Sequence, residues 1–86
     1  MRAASVILHD AQGNAVKVGS SVTLRGSGSP AMVVGYDGIV YLEGLSAHNV
    51  LEVQTAHGNC TANFDYRRQG KDVPVIGPLT CREDKP

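Results

Sequence analysis

The chain lacks tryptophan, has a single phenylalanine, and carries only three tyrosines among its 86 residues. Broad aromatic platforms of the kind that stack on sugars are therefore thinly supplied. Its formal net charge is zero and no basic cluster exceeds Arg67-Arg68. Nucleic acids and anionic membrane surfaces reward concentrated positive charge, so neither is an expected partner. No apolar run approaches the roughly 20 residues of a membrane helix, and no direct membrane insertion by this segment is expected. Helical periodicity and internal repeats are also missing. Ten glycines and four prolines favour many turns over long helices.

What is present is alternation. Residues 50–55 place Leu51 and Val53 on one side and Glu52 and Gln54 on the other, the period-2 pattern of a half-buried strand. Residues 60–66 alternate as strictly, with Cys60, Ala62, Phe64 and Tyr66 in one phase. His57-Gly58-Asn59 between them reads as a tight turn. Residues 4–9 form a first, β-branched strand, residues 15–19 a short extended crossover, and residues 20–25 a further strand with Val22 and Leu24 in phase. The centre of the pattern is Asp37-Gly38, a type I′ hairpin signal because both positions tolerate positive φ. It joins the apolar residues 31–35 to a strand in which Val40 and Leu42 share the inner face and Ile39, Tyr41 and Glu43 the outer. Residues 73–78 are extended but interrupted by Pro74 and Pro78, which suits an edge, and residues 79–81 make a last short strand. The expected fold is all-β, a Greek-key β-sandwich of about seven strands. Residues 1–81 form one domain, too short for two cores, and residues 82–86 a flexible polar tail.

Cys60 and Cys81 lack the close spacing of a zinc site or a Cys-x-x-Cys pair. Both fall in the inward phase of a strand. They read either as a bridge between neighbouring strands or as two reduced core cysteines. A bridge implies an oxidising compartment. Met1-Arg2-Ala3-Ala4 leads straight into a strand rather than a signal peptide, so the chain is expected to be a piece of a longer exported protein.

Catalytic and metal chemistry find no constellation. His9, His48 and His57 sit at strand ends or turns without convergent metal-ligand spacing. His57 lies near Cys60, but an inward cysteine lacks the exposed thiolate that nucleophilic chemistry needs. Gly26-Ser27-Gly28-Ser29 has the glycine content of a phosphate loop without its lysine or following helix. Asn59-Cys60-Thr61 matches a glycosylation sequon only by a short, frequent pattern. Asp10, Asp37, Glu43, Glu52 and Asp65 stand singly, each beside a turn or on an outward strand face. No enzyme, cofactor or metal is expected. What remains is a surface for binding: Tyr36, Ile39, Tyr41, Val75 and Ile76 are the expected partner-binding residues, since grouped exposed apolar side chains mark interaction sites.

Residues 13–22 (Gly-Asn-Ala-Val-Lys-Val-Gly-Ser-Ser-Val), residues 34–45 (Val-Gly-Tyr-Asp-Gly-Ile-Val-Tyr-Leu-Glu-Gly-Leu), Leu51-Glu52-Val53, Gly58-Asn59-Cys60 and Leu79-Thr80-Cys81 occur in one order. That ordered set resembles the C-terminal region of the outer-membrane fimbrial ushers of the chaperone–usher pathway, over residues 5–81. The resemblance implies a periplasmic β-sandwich following a transmembrane barrel, with a terminal cystine at Cys60 and Cys81. It implies a domain that docks periplasmic chaperone–pilus-subunit complexes and sits beside the barrel, plug and N-terminal domains of an usher on the periplasmic side of the outer membrane. A non-catalytic accessory or carbohydrate-binding module of a secreted protein is the alternative.

Overall fold

In the computed structural model of the chain, residues 2–67 and 70–83 are described. Eight strands follow in order: β1 (Ala3–His9), β2 (Ser21–Leu24), β3 (Met32–Val33), β4 (Ile39–Glu43), β5 (His48–Thr55), β6 (Gly58–Asp65), β7 (Val75–Thr80) and β8 (Arg82–Glu83). They form a three-stranded sheet ordered β4-β1-β7 and a five-stranded sheet ordered β3-β2-β5-β6-β8. Only β2–β3 and β5–β6 join neighbours within one sheet; the other connections pass between sheets. The result is the expected Greek-key sandwich.

Period-2 alternation decides which side chains meet between the layers. Ala4, Val6 and Leu8 of β1, with Val40 and Leu42 of β4, face Val22, Leu24, Leu51, Val53, Ala62 and Phe64 across the core. Leu8, Val6, Val22 and Leu51 are completely buried, and each such side chain contributes about 1.5–3 kcal/mol of transfer free energy. Leu45, just past β4, also tucks into this core. β1 is the middle strand of its sheet, antiparallel to β4 and parallel to β7, with a register shift between Val6 and Leu8 on the β7 side.

The turn at Asp37-Gly38 has the expected chemistry but a different role. Asp37 adopts φ 58° and ψ 25°, and Gly38 has φ 76°. The Ile39 N–H donates to the Tyr36 carbonyl, which closes a type I′ turn. One more bond, Gly35 N–H to Ile39 O at 2.8 Å, follows, and then the flanking strands part. β3 pairs with β2 while β4 pairs with β1. The segment is therefore a corner that carries the chain from one sheet to the other, not the hairpin that local sequence suggests. The physical reason is that positive φ at two residues fixes a reversal, whereas the partner of each outgoing strand is set by long-range burial.

Two more departures lie at turns and ends. Asn49, one residue ahead of the alternation at residues 50–55, belongs to β5 and is buried at 2% exposure. Its Oδ1 accepts from the Ser46 N–H at 2.8 Å and its Nδ2 donates to the Ser46 carbonyl at 2.8 Å, so it closes the loop entering β5. Asn49→Ala removes both bonds and is expected to destabilise the domain by about 1–3 kcal/mol in denaturant unfolding. Arg82 and Glu83, assigned to the polar tail, instead extend the five-stranded sheet by pairing with Thr61 and Cys60. The rest of that tail, residues 84–86, lies outside the described residues.

Candidate functional site

The site is built on the outer face of the three-stranded sheet. Because β4 alternates, burying Val40 and Leu42 leaves Ile39, Tyr41 and Glu43 outside. The antiparallel register sets Tyr41 beside Ser5 and Ile39 beside Ile7. On the other flank of β1, Val75 stands beside Ser5. Ile39, Tyr41 and Val75 are 41%, 40% and 67% exposed. Exposed Val73 precedes β7 and, with Tyr41, lines a recess of about 250 Å³ that Ala3, Tyr66, Lys71 and Asp72 complete. Tyr36, the most exposed of the expected residues, sits at the corner turn.

Three of the five expected binding residues, Ile39, Tyr41 and Val75, are thus brought onto one surface. Ile76 is set apart from them: it shares a register position with the fully buried Val6 and packs against the core. Strand alternation at Val75 and Ile76 sends neighbours to opposite faces. The sequence reading missed Ile7, whose strand is apolar in both phases and so hides which phase is outside. It also missed a second exposed apolar group, Val18, Met32 and Val33, at the β3 edge of the five-stranded sheet.

The two outer faces differ in kind. The five-stranded sheet presents exposed polar pairs, an ion pair from Arg25 Nε to Glu52 Oε1 at 2.8 Å and a contact of His48 Nδ1 with Asp65 Oδ1 at 2.7 Å that is charged only when the imidazole is protonated. Such solvated pairs contribute at most about 1 kcal/mol each and mark a face in contact with water. On the three-stranded sheet, Tyr41 donates its hydroxyl to Glu43 Oε2 at 3.1 Å. Loss of solvent around the ring, with the neighbouring Glu43 carboxylate that accepts its hydrogen bond, raises the Tyr41 phenol above its ordinary value.

Away from this face, a cleft of about 580 Å³ opens between the 10–17 segment and the tip of the β5–β6 hairpin. The cystine lies in its wall. Cys60 and Cys81 are bonded, with Cα atoms 5.4 Å apart. The cystine ties β6 to the point where the chain leaves β7 for β8. Among the described residues, no group of three or more His, Cys, Asp and Glu side chains is placed to hold a metal ion.

The chain is a small two-sheet sandwich stapled by one cystine. Its fold is that of the usher C-terminal domains. The Caf1A usher C-terminal domain superposes with a TM-score of 0.80 at 23% identity, covering 96% of this chain and 99% of that one. The PapC usher C-terminal domain superposes with a TM-score of 0.72 at 22% identity, covering 94% and 99% respectively. No curated protein matches the chain. The model of the PapC C-terminal domain family matches residues 6–68, and the chain belongs to that family. The chain is accordingly a C-terminal usher domain, and its role lies in pilus assembly at an outer-membrane usher. No helix among the described residues is long and apolar enough to cross a membrane.

Proposed function

We propose that this domain docks chaperone–pilus-subunit complexes on the periplasmic side of the outer membrane, and that the outer face of its three-stranded sheet is the docking surface. One observation carries the reading: Ile39, Tyr41 and Val75 stand exposed around Ser5 and Ile7 on a single sheet face. A sandwich core buries apolar residues without help, so apolar groups placed together on its outside call for a partner. The Caf1A domain, similar in fold, is described as having conserved surface hydrophobic clusters important for F1 antigen assembly. Subunit transfer by strand exchange draws its free energy from the exchanged strands. A holding domain therefore needs contact area rather than a catalytic group, and the other usher domains share the task of positioning.

Calorimetric titration of the domain with a purified pilus chaperone–subunit complex, beside the chaperone alone, tests this. Saturable binding to the complex is expected. Tyr41→Ser and Ile39→Ser should each weaken it by about tenfold or more, as for truncated interface anchors, while the melting temperature holds. Absence of saturable binding sinks the docking reading for this domain, and wild-type affinity in both variants moves the site elsewhere.

A further inference from the structure

We propose that Glu43 is a charged anchor of the docking face and receives a basic side chain, Arg or Lys, from the protein that binds there. The inference rests on the docking reading and adds the chemistry of the partner to it. Glu43 closes β4 on the same face as Ile39 and Tyr41 and is exposed. The sheet positions that make up this face, Ser5, Ile7, Ile39, Tyr41, Glu43 and Val75, hold one carboxylate and no lysine or arginine. Its cross-strand neighbour is Ala3, too short to cover it. The Arg25–Glu52 ion pair and the His48–Asp65 contact lie on the other sheet. No ion pair among the described residues engages Glu43, and the one described lysine close by, Lys71, lines the recess with Tyr41 and Ala3 without pairing to it.

The Tyr41 hydroxyl reaches Glu43 Oε2 at 3.1 Å. That contact fixes one carboxylate oxygen along the strand, and an incoming N–H donor can take the other. A carboxylate held at the margin of an apolar face complements an apolar surface that carries one cation. On burial of the surrounding contact, the charge-assisted bond gains strength from the lost water.

The test uses the same chaperone–subunit complex, titrated at low and at high salt against wild type, Glu43→Gln, Glu43→Lys and Ile39→Ser. Glu43→Lys should weaken binding about tenfold or more, and Glu43→Gln about threefold to tenfold. Wild-type affinity should fall with salt, and that of Glu43→Gln should fall much less. If both Glu43 variants bind as wild type, or if Glu43→Gln keeps the wild-type salt dependence, the anchor is overturned. Ile39→Ser, read beside Tyr41→Ser, separates the two ideas: wild-type binding by both removes the docking face itself, whereas weakened binding there with unaffected Glu43 variants removes only the anchor. An absorbance titration of the phenols, made on variants whose melting temperature matches wild type, reads the Tyr41–Glu43 contact itself. Glu43→Gln should shift the Tyr41 phenol back toward its ordinary value, and an unmoved titration overturns the Tyr41–Glu43 contact on which the anchor depends.

Discussion

Gly38→Ala is expected to destabilise the domain by about 3–5 kcal/mol. Gly38 has φ 76°, and a Cβ there clashes with the Leu8 carbonyl oxygen and comes within 3.3 Å of its carbon. The obstacle is main chain of β1, the middle strand of its sheet, and it has no flexible end to swing away. Relief requires either the corner or β1 to move, and β1 carries the buried Ala4, Val6 and Leu8. The left-handed φ alone accounts for about 1–2 kcal/mol, and the clash supplies the rest. Gly26→Ala is the control, because Gly26 has the same φ of 76° with nothing within 4 Å of the added carbon. Its expected loss is about 1–2 kcal/mol. Denaturant unfolding of both variants isolates the clash as their difference; equal losses would show that the corner gives way freely. A domain of this length has roughly 5–10 kcal/mol of stability in all, so Gly38→Ala should remove a large fraction of it.

The same corner shows what local sequence conveys. Asp37-Gly38 announces a reversal because the φ requirement belongs to two residues and is written in them. Which sheet receives β3 and which receives β4 depends on Met32 and Val33 finding β2 and on Ile39 to Glu43 finding β1, contacts between residues far apart in the chain. β5 and β6 were legible over residues 50–55 and 60–65 because one face of each is buried and the other wet, so the burial of Leu51, Val53, Cys60, Ala62 and Phe64 repeats the alternation. β8 was not legible: two charged residues have no apolar phase to read, and they pair only because the cystine and β7 deliver them to β6. Tyr41 and Ile39 were found as surface residues by subtraction, once Val40 and Leu42 were assigned to the core. Ile76 misled because prolines on either side conceal the phase of a strand, and its inward position follows only from its register with Val6.

These points bear on function through rigidity. A docking face made of three strands holds its side chains in place only if its edges are fixed. β4 is one edge, pinned by the corner at Gly38 and by the Leu45 N–H to Arg2 carbonyl bond at 3.2 Å. β7 is the other edge, and the chain beyond it is held by Cys81, whose N–H donates to the His9 carbonyl at 2.7 Å. Tyr41 and Val75 flank Ser5 from these two edges. Loosening either edge widens the conformations available to the face and adds an ordering cost to binding. The staple at Cys81 and the corner at Gly38 therefore support one surface from opposite sides.

Replacing both half-cystines, Cys60→Ala with Cys81→Ala, is expected to remove about 3 kcal/mol of stability. The bridged residues are 21 apart in sequence, and closing a loop of that order stabilises by about that amount in the chain-entropy model. Alanine is the right substitute because Cys81 is 1% and Cys60 7% exposed, where a serine hydroxyl would add an unsatisfied polar group. For a domain of this size the loss corresponds to a fall in melting temperature of about 10–25 °C, measurable by scanning calorimetry. Hydrogen exchange should show where the loosening falls. β8 is held by two pairs, to Thr61 and Cys60, and should lose its protection first. β1 and β4, joined through five register pairs from Ala3 to Ile7, should keep theirs below the transition. A fall of only a few degrees would mean that packing around Cys60 and Cys81 already restrains the C-terminal strand. Uniform loss of protection across both sheets would mean that the cystine supports the whole sandwich rather than its seam. If the loosening is local, the double variant at low temperature should still bind the chaperone–subunit complex through β4, with its affinity reduced only by the freedom gained at Val75.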